Sequence, residues 1–153
     1  MGVRELIDGG FTCLARDFER DGIRVDLRIS DEHKIEVYPV AFQQVLMNLI
    51  LNARDAMLPK GGILKISSQK TDYDVRISVC DTGCGIDAEN LSRIFEPFFS
   101  TKTRENTSES GMGLGLAFCD KIIRKLDGRI QVQSVPDQGS EFTLIIPDRS
   151  QVE

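Results

Sequence analysis

The sequence is poor in the residues that build several common kinds of site. It has one histidine, His33, and four cysteines, Cys13, Cys80, Cys84 and Cys119, with no Cys-x-x-Cys pair among them. A zinc centre needs thiolates or imidazoles at short spacing, so this scatter argues against one. Reduced thiols are expected instead, with Cys80 and Cys119 acting as small buried hydrophobes. A basic surplus is also missing: the net charge of −5 argues against a general nucleic-acid binder. No run approaches the ~18 apolar residues of a membrane span, and no secretory apolar segment opens the chain. There is no GxxxxGK[ST], which excludes a P-loop. Gly111-Met-Gly-Leu-Gly115 follows a polar stretch rather than a strand and lacks the GxGxxG spacing, which argues against a Rossmann site.

What remains is an ordinary globular composition, 41% hydrophobic and 28% charged over 153 residues, enough for one domain with a real core. Met1-Gly2 opens straight into helix-like sequence, as in an excised cytosolic domain whose parent could be membrane-anchored. Leu6, Ile7, Cys13, Leu14 and Phe18 predict an amphipathic helix from residue 3 to about 20, ended by Asp21-Gly22. Ile23 to Ile29 alternates as a strand with one buried face, and a short strand is expected over Ile35 to Val37. Pro39 suits the start of a helix that Pro59 and Gly61-Gly62 stop. Ile63 to Ser68 and Val75 to Cys80 predict a hairpin turning at Thr71 to Asp74. A short helix over 87 to 95 is expected to be capped by Asp87, and Ser100 to Ser110 to form a mobile loop. A helix from about Leu114 to Leu126 and strands over Ile130 to Ser134 and Glu141 to Ile146 complete the chain. Strands and helices in this order predict an α/β two-layer sandwich.

The helix over residues 44 to 57 carries the chemistry. At about 100° per residue, Asn48, Asn52 and Asp55 fall within roughly 60° of one another. Phe42, Val45, Leu49, Ala53 and Ala56 cluster on the neighbouring face. Two carboxamides and a carboxylate beside a core-facing surface need partners, since burying each unpaired costs about 1–3 kcal/mol. A bound metal and its ligand would supply them. Downstream lie Asp81-Thr-Gly-Cys-Gly85, Ile94-Phe-Glu-Pro-Phe-Phe-Ser-Thr-Lys102 and Gly111-Met-Gly-Leu-Gly115. Together these segments read as a nucleotide pocket.

In order and content the segments resemble the N, G1, F and G2 boxes of the GHKL superfamily, the Bergerat fold. Within it they resemble the catalytic ATP-binding domain of two-component sensor histidine kinases. Asn48-Leu-Ile-Leu-Asn52-Ala-Arg-Asp55-Ala is similar to the N box, and Asp81-Thr-Gly83-Cys-Gly85-Ile86 to G1. Ile94 to Lys102 is similar to the F box, and Gly111-Met-Gly113-Leu114-Gly115-Leu116 to G2. The likeness runs from about residue 3 to Pro147. It implies a mixed, largely antiparallel sheet of about five strands with three main helices on one face. It also implies a mobile ATP lid over about residues 96–113, all within a single domain covering 1–153.

The same resemblance implies roles. Asn52 would ligate Mg²⁺ through its amide oxygen, and Asn48 would contact phosphate or metal-bound water. Asp81 would accept a hydrogen bond from the adenine amine. Gly83 and Gly85 would let backbone approach the base, with Ile86 packed on its face. Gly111, Gly113, Leu114, Gly115 and Leu116 would bring backbone amides and a helix start to the phosphates. Phe95 and Phe98 would anchor the lid, and Lys102 and Arg104 would reach phosphate from it. Asp55 belongs to the same pocket, as a helix cap or through a water-mediated contact.

ATP-hydrolysing members of the superfamily carry Glu where this chain has Asn48, and a carboxamide is no base. Slow water attack favours transfer of the γ-phosphoryl to another acceptor. His33, within Asp31-Glu-His-Lys34, lacks the helical context of a phosphoacceptor and reads as a surface residue. The resemblance therefore implies the catalytic half of a histidine kinase using ATP and Mg²⁺. Its partners would be a dimeric phosphoacceptor helical hairpin of the same parent and a response-regulator receiver domain, with no nucleic acid, no direct membrane contact and a cytoplasmic setting. A serine kinase of the anti-sigma-factor type and a nucleotide-free interaction module are the competing readings.

Overall fold

Residues 23 to 29 alternate apolar and charged side chains, a period that an extended strand sorts onto two faces, and they form β1 (Ile23–Arg28). The computed structural model describes residues 2–11, 15–30, 32–35, 37–96 and 115–148. Two helices precede β1, α1 (Val3–Phe11) and α2 (Ala15–Arg20). After it come α3 (Pro39–Met57), β2 (Gly62–Lys70), β3 (Asp74–Asp81) and a short α4 (Ala88–Leu91). The chain continues with α5 (Gly115–Lys125), β4 (Arg129–Val135) and β5 (Gly139–Pro147).

The strands lie in the order β1-β2-β3-β5-β4, with β1 parallel to β2 and every other pair antiparallel. This is the expected mixed sheet. A parallel neighbour cannot be reached by a tight turn, and α3 supplies the crossover between β1 and β2. Both α1 and α5 pack against α3, which lies on β3. Phe42, Val45, Leu49 and Ala53 of α3 are buried as its periodicity predicts, while Ala56 is only half-buried. Leu46, Ile50 and Met57 are buried as well. A helix that meets two helices besides a sheet buries a wider arc than a single stripe.

Three local expectations differ from the structure. The single helix over residues 3 to about 20 is replaced by α1 and α2, and residues 12–14, including Cys13 and Leu14, lie outside the described residues. No strand forms at Ile35 or Val37. Lys34 instead makes an isolated antiparallel bridge to Gly2, and Val3 N–H donates to the His33 carbonyl at 2.9 Å. The backbone of this stretch is thus paired with the start of α1 rather than with the sheet. Asp87 stands at the N-cap of α4, yet its side chain makes no capping bond, and its carbonyl accepts from Asn90 and Leu91. The helix expected to reach residue 95 ends at Leu91 and gives way to turns that keep Ile94 buried. Residues 97–114 lie outside the described residues, and with them the mobile loop over 100–110 and nearly all of the expected lid.

Candidate nucleotide site

Three strands end, on the face turned to the helices, in a polar residue. Along β3, Val75, Ile77 and Val79 are buried and the next position of that parity is Asp81. The same parity leads through Leu144 and Phe142 to Ser140 in β5, and through Ile130 and Val132 to Ser134 in β4. Strand register makes the three neighbours: Asp81 stands opposite Ser140, and Ser140 opposite Ser134. Asp81 is 5% exposed and Ser140 6%. A polar row therefore crosses one end of an otherwise apolar sheet face.

Hydrogen bonding fixes the direction of these groups. Gly83 N–H donates to Asp81 Oδ1 at 2.9 Å, and Ile86 N–H donates to Ser134 Oγ at 2.7 Å. A carbonyl can only accept, so the Ser134 hydroxyl proton goes to the Gly139 carbonyl at 3.1 Å. The 2.8 Å contact between the two serine hydroxyls then takes its proton from Ser140. Ser140 is left with lone pairs beside the Asp81 carboxylate, an arrangement matched to a ligand that donates. Burial pushes the Asp81 carboxyl above the ordinary aspartate range, against the backbone N–H groups of Gly83 and Ser140, which favour its charged form.

The turn after Asp81 is clamped from both sides. Cys84 N–H donates to the Ala56 carbonyl at 3.0 Å, which ties the turn to the last turn of α3. A Cβ on Gly83 would stand 2.4 Å from that carbonyl oxygen. Gly85 has φ +72°, and a Cβ there would lie 2.3 Å from the Val135 carbonyl oxygen. Protein backbone thus occupies the space that both glycines leave open. Ile86 and Phe95 are half-buried against the core.

On α3, Asn48 and Asn52 are half-buried and Asp55 is exposed. Asn48 Nδ2 donates to the carbonyl of Gly115, the first residue of α5, at 3.4 Å, and to Cys119 Sγ at 3.8 Å. Leu116, one residue on, packs against the core. Cys119 is fully buried, and burial above all pushes its thiol up to about 12, so it stays protonated. Cys80, Cys84 and Cys119 are free thiols. Among the described residues no group of three or more His, Cys, Asp or Glu is arranged to hold a metal. The donors along α3 are carboxamide and carboxylate oxygens, hard ligands that suit Mg²⁺ when ligand phosphates and waters complete the shell.

Of the residues marked out in the sequence, Asn48, Asn52, Asp55, Asp81, Gly83, Gly85, Ile86, Phe95, Gly115 and Leu116 are placed by the structure. The clamped turn joins the Asp81 end of the sheet to α3, and α5 abuts Asn48. Lys102, Gly111, Gly113 and Leu114 lie outside the described residues, as do Phe98 and Arg104. Ser134, Gly139 and Ser140 were missed. Their signal was legible, because each serine interrupts an apolar alternation at a core-facing position. His33 is half-buried rather than a surface residue, with Nδ1 2.7 Å from Ser68 Oγ on β2. No helix among the described residues is long and apolar enough to cross a membrane.

Residues 37–150 match the family described as histidine kinase-, DNA gyrase B- and HSP90-like ATPase. The signal transduction histidine-protein kinase AtoS of Escherichia coli is 44% identical over 105 residues, covering 69% of this chain and 16% of that protein. The adaptive-response sensory kinase SasA of Rippkaea orientalis is 45% identical over 145 residues, covering 94% of this chain and 34% of that protein. The chain thus spans about a third or less of these curated relatives. The nucleotide-free catalytic domain of histidine kinase ThkA superposes with a TM-score of 0.84 at 32% identity, covering 96% of this chain and 93% of that one. Full-length ShkA, solved in complex with AMPPNP, gives a TM-score of 0.80 at 27% identity, with 96% of this chain and 30% of that one covered. This chain belongs to the histidine kinase-, DNA gyrase B- and HSP90-like ATPase family and, within it, to the catalytic ATP-binding domains of sensor histidine kinases.

Proposed function

We propose that this chain binds ATP with Mg²⁺ and donates the γ-phosphoryl group to a histidine on a separate helical hairpin of its parent protein. The observation that carries the reading is the polar row at the end of the sheet, tied by the Gly83 turn to the helix that bears Asn48 and Asn52. Asp81 and Ser140 present acceptors where adenine carries an amine and guanine a carbonyl. The AMPPNP complex of the related ShkA supports nucleotide binding by this fold.

Asn52 would hold the magnesium ion through its amide oxygen, with Asn48 and Asp55 on the same helical line. When bound, the ion offsets the charge of the triphosphate. The chain's own part would be placement: Asp81 would fix the base, the start of α5 would face the phosphates, and the lid expected over about 96–113, with Lys102, would cover them. The side chain one turn before Asn52 is Asn48, which cannot accept a proton from water. Transfer then goes to an imidazole nitrogen of the partner hairpin. The bond from the γ-phosphorus to the ADP oxygen breaks, a phosphorus–nitrogen bond forms, and the imidazole loses its proton. A receiver domain would take the phosphoryl group onward. We place the whole chain in one cytoplasmic domain.

The test is to incubate the chain with labelled ATP, Mg²⁺ and the hairpin domain from the same gene. Acid-labile, base-stable phosphate on the hairpin is the expected product. Acid-stable phosphoserine on a partner would instead favour a serine kinase, and no nucleotide binding at millimolar ATP would leave an interaction module.

A further inference from the structure

A carboxamide can meet a ligand with either end, and for Asn48 the structure decides which. The Val45 carbonyl can only accept, so the contact at 3.7 Å takes the thiol proton of Cys119. With that proton engaged, the sulfur turns lone pairs toward Asn48, whose Nδ2 donates to it at 3.8 Å. The Gly115 carbonyl, also an acceptor only, takes the Nδ2 group at 3.4 Å. The reverse amide orientation would set Oδ1 against a carbonyl oxygen. Oδ1 is therefore turned away from α5, to the side where Gln44 Nε2 donates to it at 3.5 Å. Gln44, Asn48 and Asn52 succeed one another at intervals of four along one line of the helix.

We infer that Cys119 is a positioning residue for the nucleotide site: with Gly115 it holds the Asn48 amide so that oxygen, not nitrogen, faces the ligand. Of the two contacts open to Asn48, phosphate or metal-bound water, this selects the second. A phosphate oxygen would need the NH₂ end as donor, and that end is taken by α5. Cys119 never touches the nucleotide. It acts from beneath α3, through a thiol that burial keeps from reacting. The inference rests on the proposed nucleotide site, and its test separates the two.

The full 153-residue chain is labelled with nitrogen-15, and the Asn48 side-chain NH₂ signals are followed without nucleotide in the parent, Cys119→Ser and Cys119→Ala. Serine keeps a donor and an acceptor and should preserve the signals; alanine removes both and should shift them and speed their exchange. ATP affinity is then titrated with Mg²⁺ and with EDTA. Cys119→Ala should weaken binding about fivefold with Mg²⁺, the value of one hydrogen bond, and leave binding in EDTA unchanged. Cys119→Ser should restore the Mg²⁺-dependent part. A purely structural role would lower the melting temperature and weaken both affinities alike, and that result overturns the inference. Unmoved Asn48 signals in Cys119→Ala overturn it too. If the parent binds no ATP, the site reading fails, while the nucleotide-free spectra still decide the amide's direction.

Discussion

The carbonyl oxygen of Ala56, in the last turn of α3, lies 2.4 Å from the place where a side chain on Gly83 would begin. The same oxygen accepts from Cys84 N–H at 3.0 Å. Helix and glycine turn are thereby fixed as one unit. Gly83→Ala would force that oxygen away, and over-packing of this kind costs about 1–3 kcal/mol. Urea unfolding should show a loss of that size, together with weaker ATP binding. An unchanged midpoint would mean that the turn is not clamped by the helix.

Asp81 is expected to oppose stability in the nucleotide-free chain. Its folded pKa is raised above the ordinary aspartate value of 3.8, chiefly by burial. Below 3.8 the carboxyl is protonated folded and unfolded, and the group imposes no penalty. As pH climbs through the folded pKa, the unfolded chain ionises more readily and stability is lost. Asp81→Asn should therefore melt higher than the parent at pH 7, with the gap closing in acid, while its ATP affinity falls. Equal melting curves at neutral pH would contradict the assignment.

Ser134 holds two neighbours. Its loss in Ser134→Ala leaves Ile86 N–H without its 2.7 Å partner and lets the Ser140 hydroxyl turn. An unsatisfied donor costs about 1–3 kcal/mol when fully buried, and with Ile86 half-buried the loss should lie at the low end, about 1 kcal/mol. Thermal unfolding should register that loss, and, on the proposed site, the preference for ATP over GTP should narrow because Ser140 would no longer offer only lone pairs to the base.

Asn52→Ala should abolish the enhancement of ATP binding by Mg²⁺ and leave binding in EDTA near the parent value. Calorimetric titration under the two conditions measures both. If Mg²⁺ still tightened binding to the variant as much as to the parent, the ion would be held elsewhere.

Much of this was legible in the chain because the physics is local. Alternation gave β1, β2, β3, β4 and β5 close to their observed limits, and the stripe on residues 44–57 gave α3 and its polar line. The segment around Ile35 was misread because its backbone bonds to α1, far from it in sequence. His33 was misread for the same reason: its partner Ser68 lies on β2. Asp81 and the two serines that break the alternation of β4 and β5 are each legible in the sequence, but that they stand side by side depends on cross-strand register, which no single stretch of sequence displays. Cys119 read correctly as buried. Its engagement with Asn48 depends on how α5 meets α3, and that geometry emerges only in the folded chain.

Base selection by Asp81 tests the account most directly. The full chain and Asp81→Ala are titrated with ATP and with GTP in the presence of Mg²⁺. The parent should prefer ATP by at least about tenfold, since a buried site built to accept a hydrogen bond rejects a ligand that cannot donate it, and the variant should bind both nucleotides weakly and alike. Undiminished ATP affinity in Asp81→Ala, with the preference intact, would contradict it.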